Sequence, residues 1–191
     1  MKKILLSLSL LAAAGSLSLL TSCDAIKKKV KDEAGVDLNF TTDGIEGTFD
    51  IPVITTLNVT TYPDTVEMPM DLEGKIKAYS SLLGMDDVTS VTIEDMDLII
   101  NNADNANDAS NFYTALAILY SDSKPDAITV SSNDVIPDTH TNTIELVPSP
   151  GINLLDYMKS GTKLYYVTGV NMRKTTSKVL NCTLRVKYHI Q

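Results

Sequence analysis

Two runs near the C-terminus alternate with a period of two, and no helix satisfies that spacing. In the first, Leu164, Tyr166, Thr168, Val170 and Met172 share a parity; in the second, Leu180, Cys182, Leu184, Val186, Tyr188 and Ile190 do, with Asn181, Thr183, Arg185, Lys187 and His189 between them. A strand sends successive side chains to opposite faces, so each run predicts a strand with one buried and one wet face. That pattern belongs to antiparallel sheets, because parallel ones are covered on both sides. The polar stretch from Thr175 to Lys178 reads as a turn, which predicts that the two strands pair as a hairpin.

The same period recurs from about residue 45 onward. Phe49, Ile51 and Val53 alternate, with Leu57 and Val59 on the same parity, and Pro52 marks an edge strand or a bulge because proline donates no ladder hydrogen bond. Between Val88 and Asn101 the parity changes, since Val91 and Ile93 are odd while Met96, Leu98 and Ile100 are even. One extra residue near Glu94 and Asp95 accounts for the change, and a β-bulge is expected there. Shorter strands are read at Leu116, Ile118 and Tyr120, at Ile128 and Val130, and at Ile144 and Leu146. Helical spacing appears at Leu72, Ile76, Tyr79 and Leu83, between Asp71 as N-cap and Gly84 as stop, and briefly from Asn153 through Leu154, Leu155, Tyr157 and Met158 to Gly161. Strands in this number with short helical connections predict a mainly all-β fold. The expectation is a two-sheet antiparallel β-sandwich over 45–191, immunoglobulin-like or jelly-roll in layout.

The N-terminus has a different character. Lys2 and Lys3 precede an apolar run from Ile4 to Leu20 that is interrupted by Ser7, Ser9, Gly15, Ser16 and Ser18. This is the layout of an export signal, and the interruptions speak against a spanning helix, which wants about 20 predominantly apolar residues. The tetrapeptide Leu20, Thr21, Ser22, Cys23 resembles the lipobox of bacterial lipoproteins, a likeness confined to this segment. It implies that residues 1–22 are removed, that the Cys23 thiol carries a diacylglyceryl group, and that the new amine is acylated as well. Each buried methylene contributes about 0.8 kcal/mol, so two or three chains hold where one is marginal. The expected location is therefore a membrane of a Gram-negative cell envelope, the outer one by preference, although an acid at the position of Asp24 retains some lipoproteins at the inner membrane. Residues 23–44 read as a lipidated tether, whose Lys27, Lys28, Lys29 and Lys31 either meet anionic head groups, at about 1 kcal/mol each, or form a solvated spacer.

Charge narrows the partners. The chain carries a net charge of −8, and loss of Lys2 and Lys3 with the leader reduces 16 basic residues to 14 against 24 acidic ones. Nucleic acid needs a concentrated basic face and is disfavoured. Cys182, left without a disulfide partner, falls on the buried parity and reads as a small apolar residue.

Catalytic and metal chemistry is weakly written. Asn101, Asn102, Asp104, Asn105, Asn107 and Asp108 form an oxygen-rich stretch, and Asp104 and Asp108 are its candidate calcium ligands. It lacks the central glycine and closing glutamate of an EF-hand, and these residue types equally suit turns. Glu94, Asp95 and Asp97 offer carboxylates for glycoside cleavage, which needs a pair facing each other across a sugar. His140, near Asp138, and His189 are too far apart in sequence, with one buried cysteine, to suggest zinc, and no serine has glycines two residues away on both sides, as a serine hydrolase elbow requires. Tyr113, Tyr120, Tyr157, Tyr165 and Tyr166 are candidates for a stacking platform, Tyr165 first among them because its parity opposes its neighbours. The sequence therefore points to a lipid-anchored, non-enzymatic binding or structural protein without a cofactor, with a membrane as its anchor and an envelope protein or a glycan as partner. Its rivals are a calcium- or glycan-binding module and a glycoside-type hydrolase.

Overall fold

In the computed structural model, residues 37–158 and 163–191 are described; the export segment, Cys23 and the tether to residue 36 lie outside the described residues, as does Gly161. The strands are β1 (Phe40–Thr41), β2 (Ile45–Ile51), β3 (Thr60–Thr61), β4 (Thr65–Met68), β5 (Val91–Ile100), β6 (Phe112–Ser121), β7 (Ile128–Asn133), β8 (Thr143–Glu145), β9 (Val147–Pro148), β10 (Leu164–Met172) and β11 (Leu180–Ile190). Among the described residues one α-helix, α1 (Leu72–Tyr79), interrupts them. Two antiparallel sheets stack with their apolar faces together, forming the β-sandwich that the alternation predicts. Sheet I runs β8, β5, β11, with β1 and β2 both paired along the outer side of β11. Sheet II runs β9, β7, β6, β10, with β3 and β4 both paired along β10. The compact unit begins at Leu38, which is buried, and β1 falls inside the stretch read as tether.

The core follows the parity argument closely on three strands. Leu180, Cys182, Leu184, Val186, Tyr188 and Ile190 of β11 are all buried, as are Leu164, Tyr166, Thr168, Val170 and Met172 of β10. On β5 the register steps from Lys187 opposite Asp95 to Tyr188 opposite Ile93, so Glu94 is the extra residue and the expected bulge is present. Pro52 directly follows the edge strand β2.

The predicted hairpin does not form. β10 sits in the middle of sheet II and β11 in the middle of sheet I, and residues 173–179 arch from one sheet to the other. Alternation fixes which face of a strand is buried and carries no information about its neighbour. The two strands meet face to face instead, where the buried Tyr166 and Tyr188 hydroxyls hydrogen-bond across the core at 2.7 Å.

The two long edges of the sandwich are closed differently. At one, the chain crosses between sheets at Leu146, whose N–H donates to the Met96 carbonyl before β9 joins β7. At the other, β2 approaches β4 so closely that a Cβ on Gly47 would lie 2.3 Å from Val66 Cγ1. Only glycine permits that approach.

Several local readings shift. Val53, Leu57 and Val59 are exposed and lie outside any strand, because the chain leaves sheet I after Ile51. The strand expected from Val88 starts at Val91. Asp71 caps α1 by accepting from Gly74 N–H, but the helix stops at Tyr79, and Gly84 opens the following 3-10 turn (Met85–Asp87). The second helical segment is a single 3-10 turn, Leu155–Tyr157, with Asn153 Oδ1 accepting from both Leu155 N–H and Val91 N–H.

Candidate functional site

Each sheet has an outer face, and the two differ in chemistry. On sheet I the outward positions of β11 lie directly opposite acids of β5, giving the ion pairs Arg185–Asp97 at 2.6 Å and Lys187–Asp95 at 2.9 Å. His189 faces outward there too, 3.4 Å from Thr41 Oγ1. The three acids singled out as candidate glycosidase carboxylates are thereby separated: Glu94 is displaced by the bulge, and Asp95 and Asp97 each hold a cation. The result is a wet, net-acidic surface, because Glu46, Asp50 and Glu145 also point outward there.

The Asn- and Asp-rich stretch folds into a clamp on the arch between β10 and β11. Asp104 accepts from Lys178 at 2.6 Å, from the backbone of Ala106 and Asn107, and from the Asn107 amide; the Lys178 hydrogen bond foremost holds its carboxyl far below the usual range. Asn107 grips Ser177 through both its amide atoms, Asn111 donates to the Thr175 carbonyl, and Asn102 bridges Val179 and Asn181. Asp108 is buried, accepts from Ser110 N–H, and lies 2.5 Å from His140 Nδ1. Burial alone raises its carboxyl, but the Ser110 and His140 hydrogen bonds outweigh burial and leave it lowered. Asp104 and Asp108 thus spend their oxygens on the protein itself. Among the described residues, no group of three or more His, Cys, Asp or Glu side chains is disposed to hold a metal ion.

The tyrosines divide. Tyr166 and Tyr157 are core residues, the latter donating its hydroxyl to the Asp126 carbonyl. Tyr113 is exposed beside the Arg173 guanidinium. Tyr120 and Tyr165 are directly opposed on β6 and β10 and stack at 5.0 Å on the outer face of sheet II. Burial first, and then the neighbouring Asp122 carboxylate, push the Tyr165 hydroxyl above its ordinary value.

Around this stack the outer face of sheet II is apolar. Val167 opposes Ile118, and Gly169 opposes Leu116. A Cβ on Gly169 would meet the Tyr62 ring at 2.7 Å and Leu116 at 3.0 Å, so the missing side chain makes room for Tyr62 to lie over the sheet. Tyr62 is 54% exposed, and Val147, which opposes the outward Ser132, is 61% exposed. The rim carries Thr60, Thr65, Thr114 and Thr129. Among the described outward positions of the paired strands, Glu67 alone is charged, and Lys163 neutralises it at 3.0 Å. Beside this face, at the mouth between the sheets, a cavity of about 260 Å³ is lined by Ile93, Val130, Ile152 and Leu154 with Pro148 and Pro150. It is smaller than the usual range for a small-molecule site, about 300–1,000 Å³.

The sequence marks only part of this face, through the candidate stacking residues Tyr120 and Tyr165. Leu116, Ile118 and Tyr120 were read as a strand, and they are one, but the buried side of β6 is Phe112, Ala115, Ala117 and Leu119. Apolar residues on both parities of β6 were the available sign that both its faces are covered or sticky. No helix among the described residues is long and apolar enough to cross a membrane. No family model, curated protein or solved structure matches the chain.

Proposed function

We propose that this chain is a lipid-anchored protein of a Gram-negative envelope, held by acyl chains on Cys23, and that its sandwich is a non-enzymatic binding or structural module working through the outer face of sheet II. The contrast between the two outer faces carries the reading. One is charged and net acidic, while the other presents an exposed Tyr62 and the half-buried Leu116, Ile118, Tyr120, Tyr165 and Val167, with charge confined to the Glu67–Lys163 pair and to Asp122 at the Tyr165 end. Depletion of charge with enrichment in aromatics marks the core of protein interfaces, and contiguous exposed apolar patches mark interaction sites. The aliphatic centre favours a protein over a glycan. The lipobox supports the anchor, and the acidic chain suits a soluble domain displayed beside a membrane.

Intact-mass analysis of the natively processed protein tests the anchor. The expected product begins at Cys23 and carries diacylglycerol plus an amide-linked acyl chain; a free cysteine or an uncut leader overturns it. For the face, wild type is expected to be retained by immobilised envelope extract or by itself, and Ile118→Asp to lose that retention while keeping its circular dichroism spectrum. Equal retention of both proteins overturns the assignment of the face.

A further inference from the structure

We infer that the opening at the side of the sandwich, between β5 and β7, takes one apolar residue of a basic, extended peptide that adds to the free edge of β5. This site is separate from the outer face of sheet II. Backbone register is the first observation. Tyr188 turns both its peptide groups away from β5, its C=O accepting from Thr42 N–H and its N–H donating to Thr42 Oγ1. In an antiparallel pair the residue directly opposite such a position also points its groups outward. Ile93 stands opposite Tyr188, so its N–H and C=O face the other edge of β5, where neither has a partner among the described residues.

The free stretch is short and framed. At one end the Leu146 N–H donates to the Met96 carbonyl; at the other the Leu154 N–H donates to the Val91 carbonyl, and Asn153 Oδ1 accepts from Val91 N–H. Between these points the chain swings across to sheet II, where β9 pairs with β7 and the Ser149 N–H donates to the Val130 carbonyl. That excursion leaves the cavity of about 260 Å³, walled by Ile93, Val130, Pro148, Ile152 and Leu154.

Size and charge choose the occupant. A dry apolar cavity of about 150 Å³ accommodates benzene, so about 260 Å³ holds one leucine- or phenylalanine-sized side chain. A residue added opposite Ile93 shares its face, so its side chain enters the cavity while its N–H and C=O exchange bonds with Ile93, as when extended peptides join an exposed sheet edge. Its two neighbours in the peptide point to the outer face of sheet I. Exposed Glu94 adjoins Ile93, and Glu145 is exposed on that outer face; neither has an ion pair among the described residues, whereas Lys187 and Arg185 there are held by Asp95 and Asp97. The net charge of −8 draws a cationic segment from further away. The occupant is therefore a segment in which an apolar residue stands between two lysines or arginines.

Fluorescence anisotropy of labelled Ser-Lys-Leu-Lys-Ser, its ends blocked, with the full natively processed chain in mild detergent tests the inference. Wild type is expected to bind it saturably, and more weakly as sodium chloride rises from about 0.1 M to about 1 M. Glycine in place of the leucine, or a methyl group on the leucine amide nitrogen, is expected to weaken binding at least tenfold, as is Ile152→Trp, which fills the mouth of the cavity. Glu94→Lys leaves the cavity intact and is expected to weaken binding severalfold. Absence of binding up to about 1 mM, equal binding of the glycine, N-methyl or Ser-Glu-Leu-Glu-Ser peptide, or indifference to both variants overturns the inference. Loss of peptide binding in Ile118→Asp would place the peptide on the outer face of sheet II instead, overturning this site while supporting that one.

Discussion

At position 188 the alternation asks only for a buried apolar residue, and the chain places a tyrosine there. Its hydroxyl is satisfied only by Tyr166, on the facing sheet, at 2.7 Å, and burial pushes both hydroxyls well above their ordinary range so that both stay protonated. Tyr188→Phe would strand the Tyr166 hydroxyl in the core, an expected loss of about 1–3 kcal/mol. Replacing both by phenylalanine removes the orphan, so the double variant is expected to lose less than the sum of the singles. Thr168 makes the opposite case. Its buried Oγ1 has no hydrogen-bond partner, and Thr168→Val is expected to be neutral or to stabilise by about 1 kcal/mol. Urea unfolding of the four variants decides it: additive tyrosine losses, or a destabilised Thr168→Val, would contradict the account.

At the scale of elements, legibility depended on what each signal reports. Periodicity located the strands, and the parity shift on β5 located its bulge at Glu94, because both are properties of a single strand. Pairing is a property of two strands, which is why the β10–β11 hairpin was misread: nothing local in Thr175 to Lys178 distinguishes a tight turn from an arch. What distinguishes them is the remote clamp of Asn102, Asn107 and Asn111, whose bonds to residues 175–181 hold the arch open between the sheets. The clamp has a pH signature through Asp108. Its folded carboxyl is lowered, so it adds stability above the unfolded value of about 3.9 and loses that contribution as pH falls through the folded value. Asp104 and Asp138 are lowered in the same direction, chiefly by hydrogen bonds from Lys178 and Lys174. Asp108→Asn is therefore expected to melt below wild type at pH 7, with the gap closing below about pH 4. A gap of constant size across that window would mean that the ionised carboxylate is not what matters.

At the scale of the molecule, the sheets are built almost entirely by strands returning from far along the sequence. Among the described strands, β6 and β7 are the only consecutive ones that pair; β5 waits for β11, and β10 reaches back to β6, β4 and β3. Long loops must close before such contacts reward the chain, and topologies of this kind fold in milliseconds to seconds. The β6–β7 hairpin closes the shortest loop and is the expected nucleus, whereas β2, which pairs only with β11, is expected to dock once the centre of sheet I exists. Two buried core residues separate these stages: Leu119 on β6 and Phe49 on β2. Each truncated to alanine should destabilise by about 2–5 kcal/mol. The kinetic division is expected to differ, with Leu119→Ala mainly slowing folding and Phe49→Ala mainly speeding unfolding. Stopped-flow chevrons of the two variants measure this directly, and a slowed folding arm for Phe49→Ala with an unchanged one for Leu119→Ala would reverse the proposed order of assembly.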